Sequence, residues 1–163
     1  KILEELKNVG LRYVLISGIL ILCVIFFYGS NILSLLYDEY EISYFSTLKI
    51  LMCSYLTIAV AYIFGTLLVA AGKIRNLNIV FGIGLMINII LNYILIPKYL
   101  AVGAAVATFI TQFIVMAGQI YLVQKEMKIH INKEEYIKPL SFAIVSVIIF
   151  YMISNYFLYL HYE

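Results

Sequence analysis

The sequence predicts an all-α membrane protein, a polytopic bundle of about five transmembrane helices. Of its 163 residues, 64% are hydrophobic and only 12% are charged, whereas a soluble domain carries about 25% charged residues. Asp, Glu, Lys and Arg are absent from five stretches: 13–37, 50–72, 76–97, 99–124 and 139–162. Each stretch has at least 22 residues, and about 20 helical residues cross a bilayer core. Because the apolar runs are continuous, they favour helices over the alternating pattern of a membrane barrel.

The basic residues alternate between successive loops. Nine of the eleven lie before the first stretch, between the second and third, or after the fourth, and only Lys49 and Lys98 lie on the other side. Cytoplasmic loops carry the excess of Lys and Arg in membrane proteins. We therefore expect a multi-pass protein of the cytoplasmic membrane, with the amino end of this segment inside and the end after the fifth span outside.

The first two spans follow from their flanking residues. A polar cytoplasmic lead-in occupies 1–12, and the first span covers roughly 11–36. The second span covers roughly 44–71, and Gly72 is predicted to end it because glycine favours the left-handed conformation of a helix terminus.

The third and fourth spans, roughly 77–97 and 100–124, are predicted to form a hairpin. Proline lacks a backbone donor and disfavours helix at the preceding residue, so we expect the third span to end near Ile96, before Pro97. The fourth span opens with the small residues of 103–107, which allow close helix packing in lipid. Only about four residues are expected to join the two helices.

The remainder divides into a charged cytoplasmic loop at 125–137 and an additional transmembrane helix with an external tail at 138–163. The chain begins with Lys1 and shows no signal-peptide layout. We therefore expect it to be a piece of a longer protein.

Polar residues inside the third and fourth spans are candidates for a substrate cavity, since polar groups are costly in lipid and face protein or water. Asn88 and Asn92 share one face of the third span. The candidates of the fourth span are Thr108, Gln112 and Gln119. Together with Thr111 they lie near one stripe of that helix, at spacings of three, four and seven residues. One interpretation is a polar wall beside a solvated cavity. The alternative is that these side chains hydrogen-bond neighbouring helices and only hold the bundle together.

Two cations are further candidates. Lys49 lies within the second span, where it either extends to the interface or faces the cavity and attracts an anionic headgroup. Arg75 lies at the cytoplasmic rim beside Lys73. These two residues are either ordinary positive-inside residues or the first contact of an entering anionic lipid.

Residues that carry chemistry are sparse. Cys23 and Cys53 fall inside spans and are interpreted as buried structural thiols, while His130 and His161 have no neighbouring carboxylate pair. No carboxylate lies well inside a span, and the sequence has no Ser-His-Asp order, Walker motif or CxxC. We therefore expect no enzyme activity, cofactor, metal site or nucleic-acid partner.

The order of these features resembles the carboxy-terminal half of polysaccharide flippases of the O-antigen or capsule type. These belong to the multidrug/oligosaccharidyl-lipid/polysaccharide exporter superfamily. The resemblance covers about residues 10–124 and depends on these segments: Leu35–Tyr40 after a span, Leu48–Leu51 opening the next, Ala71-Gly72-Lys73, and Asn88 and Asn92 leading through Ile96–Tyr99 into Gly103–Thr108. The family usually has glycine just after the tyrosine of the hairpin turn, where this chain has Leu100-Ala101.

The resemblance implies a two-lobe, alternating-access transporter similar to the multidrug exporters. It implies that undecaprenyl-pyrophosphate-linked oligosaccharide is flipped across the cytoplasmic membrane for surface polysaccharide biosynthesis. The partners would be this lipid-linked substrate, membrane lipids and the missing amino-terminal part of the same chain. Residues 1–124 would supply helices of the carboxy-terminal lobe. The alternatives are another exporter of the superfamily (a multidrug/cation antiporter or a peptidoglycan-precursor flippase) and, less well supported, a membrane-embedded enzyme or an assembly subunit.

Overall fold

A computed structural model describes residues 2–37, 42–127 and 134–161, and these residues form four α-helices. The helices are α1 (Ile2–Leu36), α2 (Ile42–Ala70), α3 (Ile74–Met127) and α4 (Glu134–His161). Three stretches are long and apolar enough to cross a membrane: Lys7–Leu36, Ser43–Ala70 and Ile74–Met127. The described part of α4 contributes a shorter apolar stretch, Ser141–Met152. The all-helical prediction is confirmed, while the number of membrane crossings stays a prediction.

α1 and α2 pack side by side in opposite directions. Three glycines of α1 lie against side chains of α2 in antiparallel order: Gly10 against Ile63, Gly18 against Leu56 and Gly29 against Phe45. Glycine at these positions lets the two helices approach closely, which stabilises helix pairs in lipid through van der Waals contact.

A three-residue turn ends α2 and reverses the chain. Gly72 has φ of 71°, a left-handed conformation that glycine adopts without steric cost. The N–H of Gly72 donates to the carbonyl of Val69 at 2.9 Å, and the N–H of Lys73 donates to the carbonyl of Leu68 at 2.8 Å. This pair of bonds is the Schellman motif. It confirms that Gly72 closes the second predicted helix.

α3 contains a helical hairpin with its tip at Leu100, whose φ of 50° and ψ of −127° leave helical geometry. The first leg is 74–99 and the second leg is 101–127. Side chains pair across the legs in antiparallel order from the base to the tip: Asn76 with Glu126, Val80 with Gly118, Gly84 with Val115, and Asn88 with Thr111. The predicted hairpin is therefore present in the structure.

The predicted end of the first leg near Ile96 is wrong. Helical structure continues through Pro97, Lys98 and Tyr99, and the break falls at Leu100. Proline removes one backbone hydrogen bond and strains one turn, but it does not reverse the chain. Reversal requires a residue with non-helical angles, and that residue is Leu100.

The charged loop predicted at 125–137 is also shorter than expected. α3 continues to Met127 and α4 begins at Glu134, so both ends of the predicted loop are helical. Residues 128–133 lie outside the described part of the chain, as do 38–41, between the first two predicted spans. The lead-in at 1–12 is helical from Ile2 and continuous with the first apolar run.

The helices pack in a row whose order is hairpin, α2, α1, α4. Within the described residues, the helix pairs in contact are α3 with α2, α2 with α1, and α1 with α4. α2 is the central element, and its Phe64 and Leu68 are fully buried. The main core lies where α2 meets α1 and the base of the hairpin, and it includes Leu11, Leu77 and Val123.

Candidate functional site

A cavity of about 480 Å³ lies between α2 and the hairpin. Ala61 and Gly65 contribute a small-residue wall from α2, and Phe81 contributes an aromatic wall from the first leg. The second leg supplies Gln112 and Gln119. Two of the seven candidate residues from the sequence therefore meet at this cavity, which we call the α2–hairpin cavity.

Gln119 is the most deeply buried polar side chain of this cavity, with 1% of its surface exposed. Its Oε1 has no hydrogen-bond partner among the residues that the structure describes. A Cβ added to Gly65 would lie 3.3 Å from this oxygen, so the glycine provides the space in which the amide is placed. A buried acceptor without a partner costs about 1–3 kcal/mol, which makes this amide a specific point of attraction for a donor.

Asn88 and Asn92 form a polar chain within the hairpin. The amide of Asn92 donates to Asn88 Oδ1 at 2.8 Å, and the amide of Asn88 donates to Thr111 Oγ1 at 3.3 Å across the two legs. Asn92 Oδ1 is buried and has no partner within the described residues. The Asn88 bond joins the two legs, whereas Asn92 donates within its own leg and keeps one acceptor for a further group.

Thr108 has a local contact. Its hydroxyl donates to the carbonyl of Ala104 at 2.9 Å, one turn earlier in the same helix. This bond satisfies the hydroxyl within its own leg. Thr108 therefore makes no hydrogen bond to the asparagine chain, and it is not among the residues that line the α2–hairpin cavity.

Lys49 lies at the interface of α1 and α2. Its Nζ lies 3.8 Å from the ring centroid of Phe45 and 5.4 Å from that of Phe26. The negative face of an aromatic ring attracts an ammonium group at these distances. Aromatic faces therefore hold this cation at the end of the bundle opposite to Gly72, and no carboxylate among the described residues pairs with it.

Arg75 is exposed at the other end of the bundle, beside the Gly72 turn. There Lys73 Nζ forms an ion pair of 2.8 Å with Glu126 Oε2, and the amide of Asn76 donates to Glu126 Oε1 at 3.2 Å. The hydrogen bond from Lys73 and its charge hold the pKa of Glu126 below its usual value. This Lys73–Glu126–Asn76 cluster joins the end of α2 to both legs of the hairpin.

The structure thus separates the seven candidates into five places. Gln112 and Gln119 share the α2–hairpin cavity, Asn88 and Asn92 share the hairpin interface, Thr108 bonds its own helix, and Lys49 and Arg75 lie at opposite ends. The assigned roles stay predictions. Sequence reasoning missed the Lys73–Glu126–Asn76 cluster, because its members are far apart in the chain and are ordinary interfacial residue types.

Other reactive groups are dispersed. Cys23 is buried and Cys53 is half-buried, and both are free thiols. Within 2–37, 42–127 and 134–161, no three His, Cys, Asp or Glu side chains come together in a metal-binding group.

Comparisons of this chain with protein-family models, with curated proteins and with solved structures gave no match.

Proposed function

We propose that this chain is part of a membrane flippase that moves lipid-linked oligosaccharide across the cytoplasmic membrane by alternating access. One observation carries the proposal. The segment with the most specific resemblance to polysaccharide flippases, from Asn88 to Thr108, coincides with the hairpin. The backbone of Leu100 adopts a conformation typical of glycine, at the position next to the tyrosine where that family usually has glycine.

The hairpin is built to move as one body. A Cβ on Gly103 would overlap the carbonyl oxygen of Leu95 and lie 2.7 Å from its carbonyl carbon, so the two legs touch at the backbone. The Asn88–Thr111 hydrogen bond joins the legs midway, and the cluster around Glu126 joins them at the base. A unit tied at its tip, middle and base is suited to the rigid-body movements of alternating access.

Lys49 and Arg75 lie at opposite ends of the bundle, which suits a substrate that moves from one side of the membrane to the other. Lys49 lies 21 residues before Ala70, the last residue of α2, which corresponds to about 32 Å along the helix axis, and Arg75 lies beyond that end of α2. This length is comparable to the hydrocarbon core of about 30 Å. One pyrophosphate group therefore cannot contact Lys49 and Arg75 together. We assign Arg75 to the cytoplasmic stage of the cycle and Lys49 to the external stage.

The asparagine chain has a second proposed role. Asn92 Oδ1 is a buried acceptor that no described donor satisfies. A sugar hydroxyl that reaches the hairpin would satisfy it. The hydrogen bond from the Asn92 amide to Asn88 Oδ1 predicts that Asn92 also supports the hairpin when no substrate is bound.

The proposal is tested by the sidedness of lipid-linked oligosaccharide in cells that lack the protein. We expect this intermediate to accumulate on the cytoplasmic side and surface polymer to be lost, and the intact gene to restore both. Normal surface glycan with new sensitivity to cationic drugs would instead indicate an exporter. If neither changed, the flippase proposal would be refuted.

The role of Lys49 is tested in the same cells with a charge series. Lys49→Gln should slow flipping, and Lys49→Arg should retain it because the cation and its aromatic contacts are kept. Lys98→Gln is the matched control, since Lys98 is an exposed cation at the hairpin tip, at the same end of the bundle. Equal flipping in the Lys49→Gln and Lys98→Gln variants would remove Lys49 from the mechanism.

A further inference from the structure

We infer that the α2–hairpin cavity binds an uncharged lipid through a hydroxyl group, and that Gln119 is the residue that recognises this hydroxyl. Such a ligand differs from a pyrophosphate-linked sugar in both charge and size. The site is present whether or not the chain is a flippase.

The cavity opens through the apolar outer surface of the helices. Ile58, Val69 and Phe81 form part of its rim, and their side chains are 41%, 49% and 48% exposed. Beyond the end of the cavity that holds Gln119, the Lys73–Glu126 ion pair joins the turn after α2 to the base of the hairpin. A ligand therefore enters sideways from the lipid.

The lining selects against charge. No charged side chain lines the cavity among the described residues, and an unpaired ion is costly to desolvate. Gln112 and Gln119 are its amide groups, and Tyr62 and Thr66 are its hydroxyl groups. The hydroxyl of Thr66 already donates to the carbonyl of Ile63 at 2.8 Å. The volume of about 480 Å³ lies within the usual range of about 300–1,000 Å³ for small-molecule sites.

The Gln119 amide provides the specific contact. The last torsion of a glutamine side chain is soft and roughly two-fold, so the amide can turn its oxygen or its NH₂ toward the cavity at little cost. Gly65 leaves room for this rotation, since its missing Cβ would lie 3.3 Å from Oε1 and 3.7 Å from Nε2. A hydroxyl group both donates and accepts hydrogen bonds, so it matches either orientation of the amide.

The depth of Gln119 fits a lipid whose hydroxyl lies near the interface. Gly65, which lies against Gln119, is seven residues before Gly72, or about 10 Å along the helix axis. The apolar part of the ligand would extend from there past Ala61 and Ile58 toward the middle of the bilayer. A neutral lipid with one free hydroxyl has this arrangement of groups.

Photolabelling of the intact protein in phosphatidylcholine vesicles tests the inference. Two probes are compared: a long-chain alcohol with a diazirine on its chain, and its methyl ether, which cannot donate a hydrogen bond. We expect adducts in the peptides that carry 58–70 and 112–119. Labelling by the alcohol should exceed labelling by the ether about fivefold, the value of one net hydrogen bond.

Variants identify the recognising residue. Gln119→Leu should remove the preference for the alcohol and leave ether labelling intact. Gly65→Ala keeps the amide but restricts its rotation, so the preference should fall there as well. Gln124→Leu is the matched control, because Gln124 lies on the same leg, is exposed, and is not among the lining residues. Retained ether labelling shows that each variant is folded, because a misfolded protein would lose both labels.

The inference would be overturned by equal labelling of the native protein by both probes, by adducts outside the two peptides, or by a preference that survives Gln119→Leu. Absence of labelling by either probe would also refute it.

Discussion

Replacing Leu100 with glycine should stabilise the protein, because Leu100 has a backbone conformation that suits glycine. Its φ of 50° and ψ of −127° are close to those of the first central residue of a type II′ turn. A side chain held in such a region costs about 1–3 kcal/mol. The leucine side chain is 74% exposed, so it contributes little burial in return.

The net effect of Leu100→Gly follows from three contributions. Relief of backbone strain contributes about 2 kcal/mol to the free energy of unfolding. Loss of the quarter of the side chain that is buried costs about 0.5 kcal/mol, and the greater freedom of glycine in the unfolded chain costs about 0.4–1 kcal/mol. A gain of about 1 kcal/mol remains, which corresponds to about 2–4 °C in the midpoint of thermal unfolding.

Thermal unfolding of the intact protein in detergent micelles measures this gain, and two variants control for it. Leu100→Ala removes the same side chain but keeps the strain, so its midpoint should fall slightly below that of the native protein. Ala101→Gly places glycine at the adjacent helical, exposed position and should cost about 0.5–1 kcal/mol. If Leu100→Gly melted with Ala101→Gly, below the native protein, the assignment of strain to Leu100 would be refuted.

Two further predictions concern the two ends of the hairpin. Gly103→Ala should destabilise the protein by about 1–3 kcal/mol, since the added Cβ meets the backbone of Leu95. Gly82→Ala, the control in the same helix, meets no atom within 4 Å and should be neutral or stabilising. Equal thermal midpoints of the two variants would contradict the close approach of the legs. Because Lys73 lowers the pKa of Glu126, the Lys73–Glu126 pair should stabilise the protein fully above the usual glutamate pKa of about 4.3 and progressively less as pH falls through the lowered value. The native protein should therefore exceed Glu126→Gln in stability at neutral pH and lose that advantage in acid, and a pH-independent difference would show that the pair is not formed.

The existence and place of the hairpin could be predicted from the sequence, but its geometry at the tip could not. The charge-free runs on either side of Lys98, together with the small residues after it, predict two adjacent helices. Pro97 suggested an earlier break, because proline is a strong local signal and leucine is not a signal for a positive φ. Leu100 adopts that conformation because the packing of the two legs requires a reversal there.

The candidate site was predictable only within single helices. A spacing of seven shows that Gln112 and Gln119 share a face, but it does not show that this face meets α2. That the side chain of Gln119 lies against Gly65 depends on how α2 and the hairpin pack. Likewise, Asn76 and Glu126 meet across 50 residues of sequence, and neither residue type indicates a partner at that separation.

The arrangement of the helices in a row has a consequence for biogenesis. Within the described residues, each contact between helices joins consecutive helices, except that between α1 and α4. Protein chains dominated by such local contacts fold quickly, because few long loops must close before packing begins. α1, α2 and the hairpin can therefore assemble in the order in which they leave the ribosome. α4 is the last helix to leave the ribosome and it packs on α1, away from the hairpin, so its docking can be delayed or prevented without disturbing the hairpin already formed.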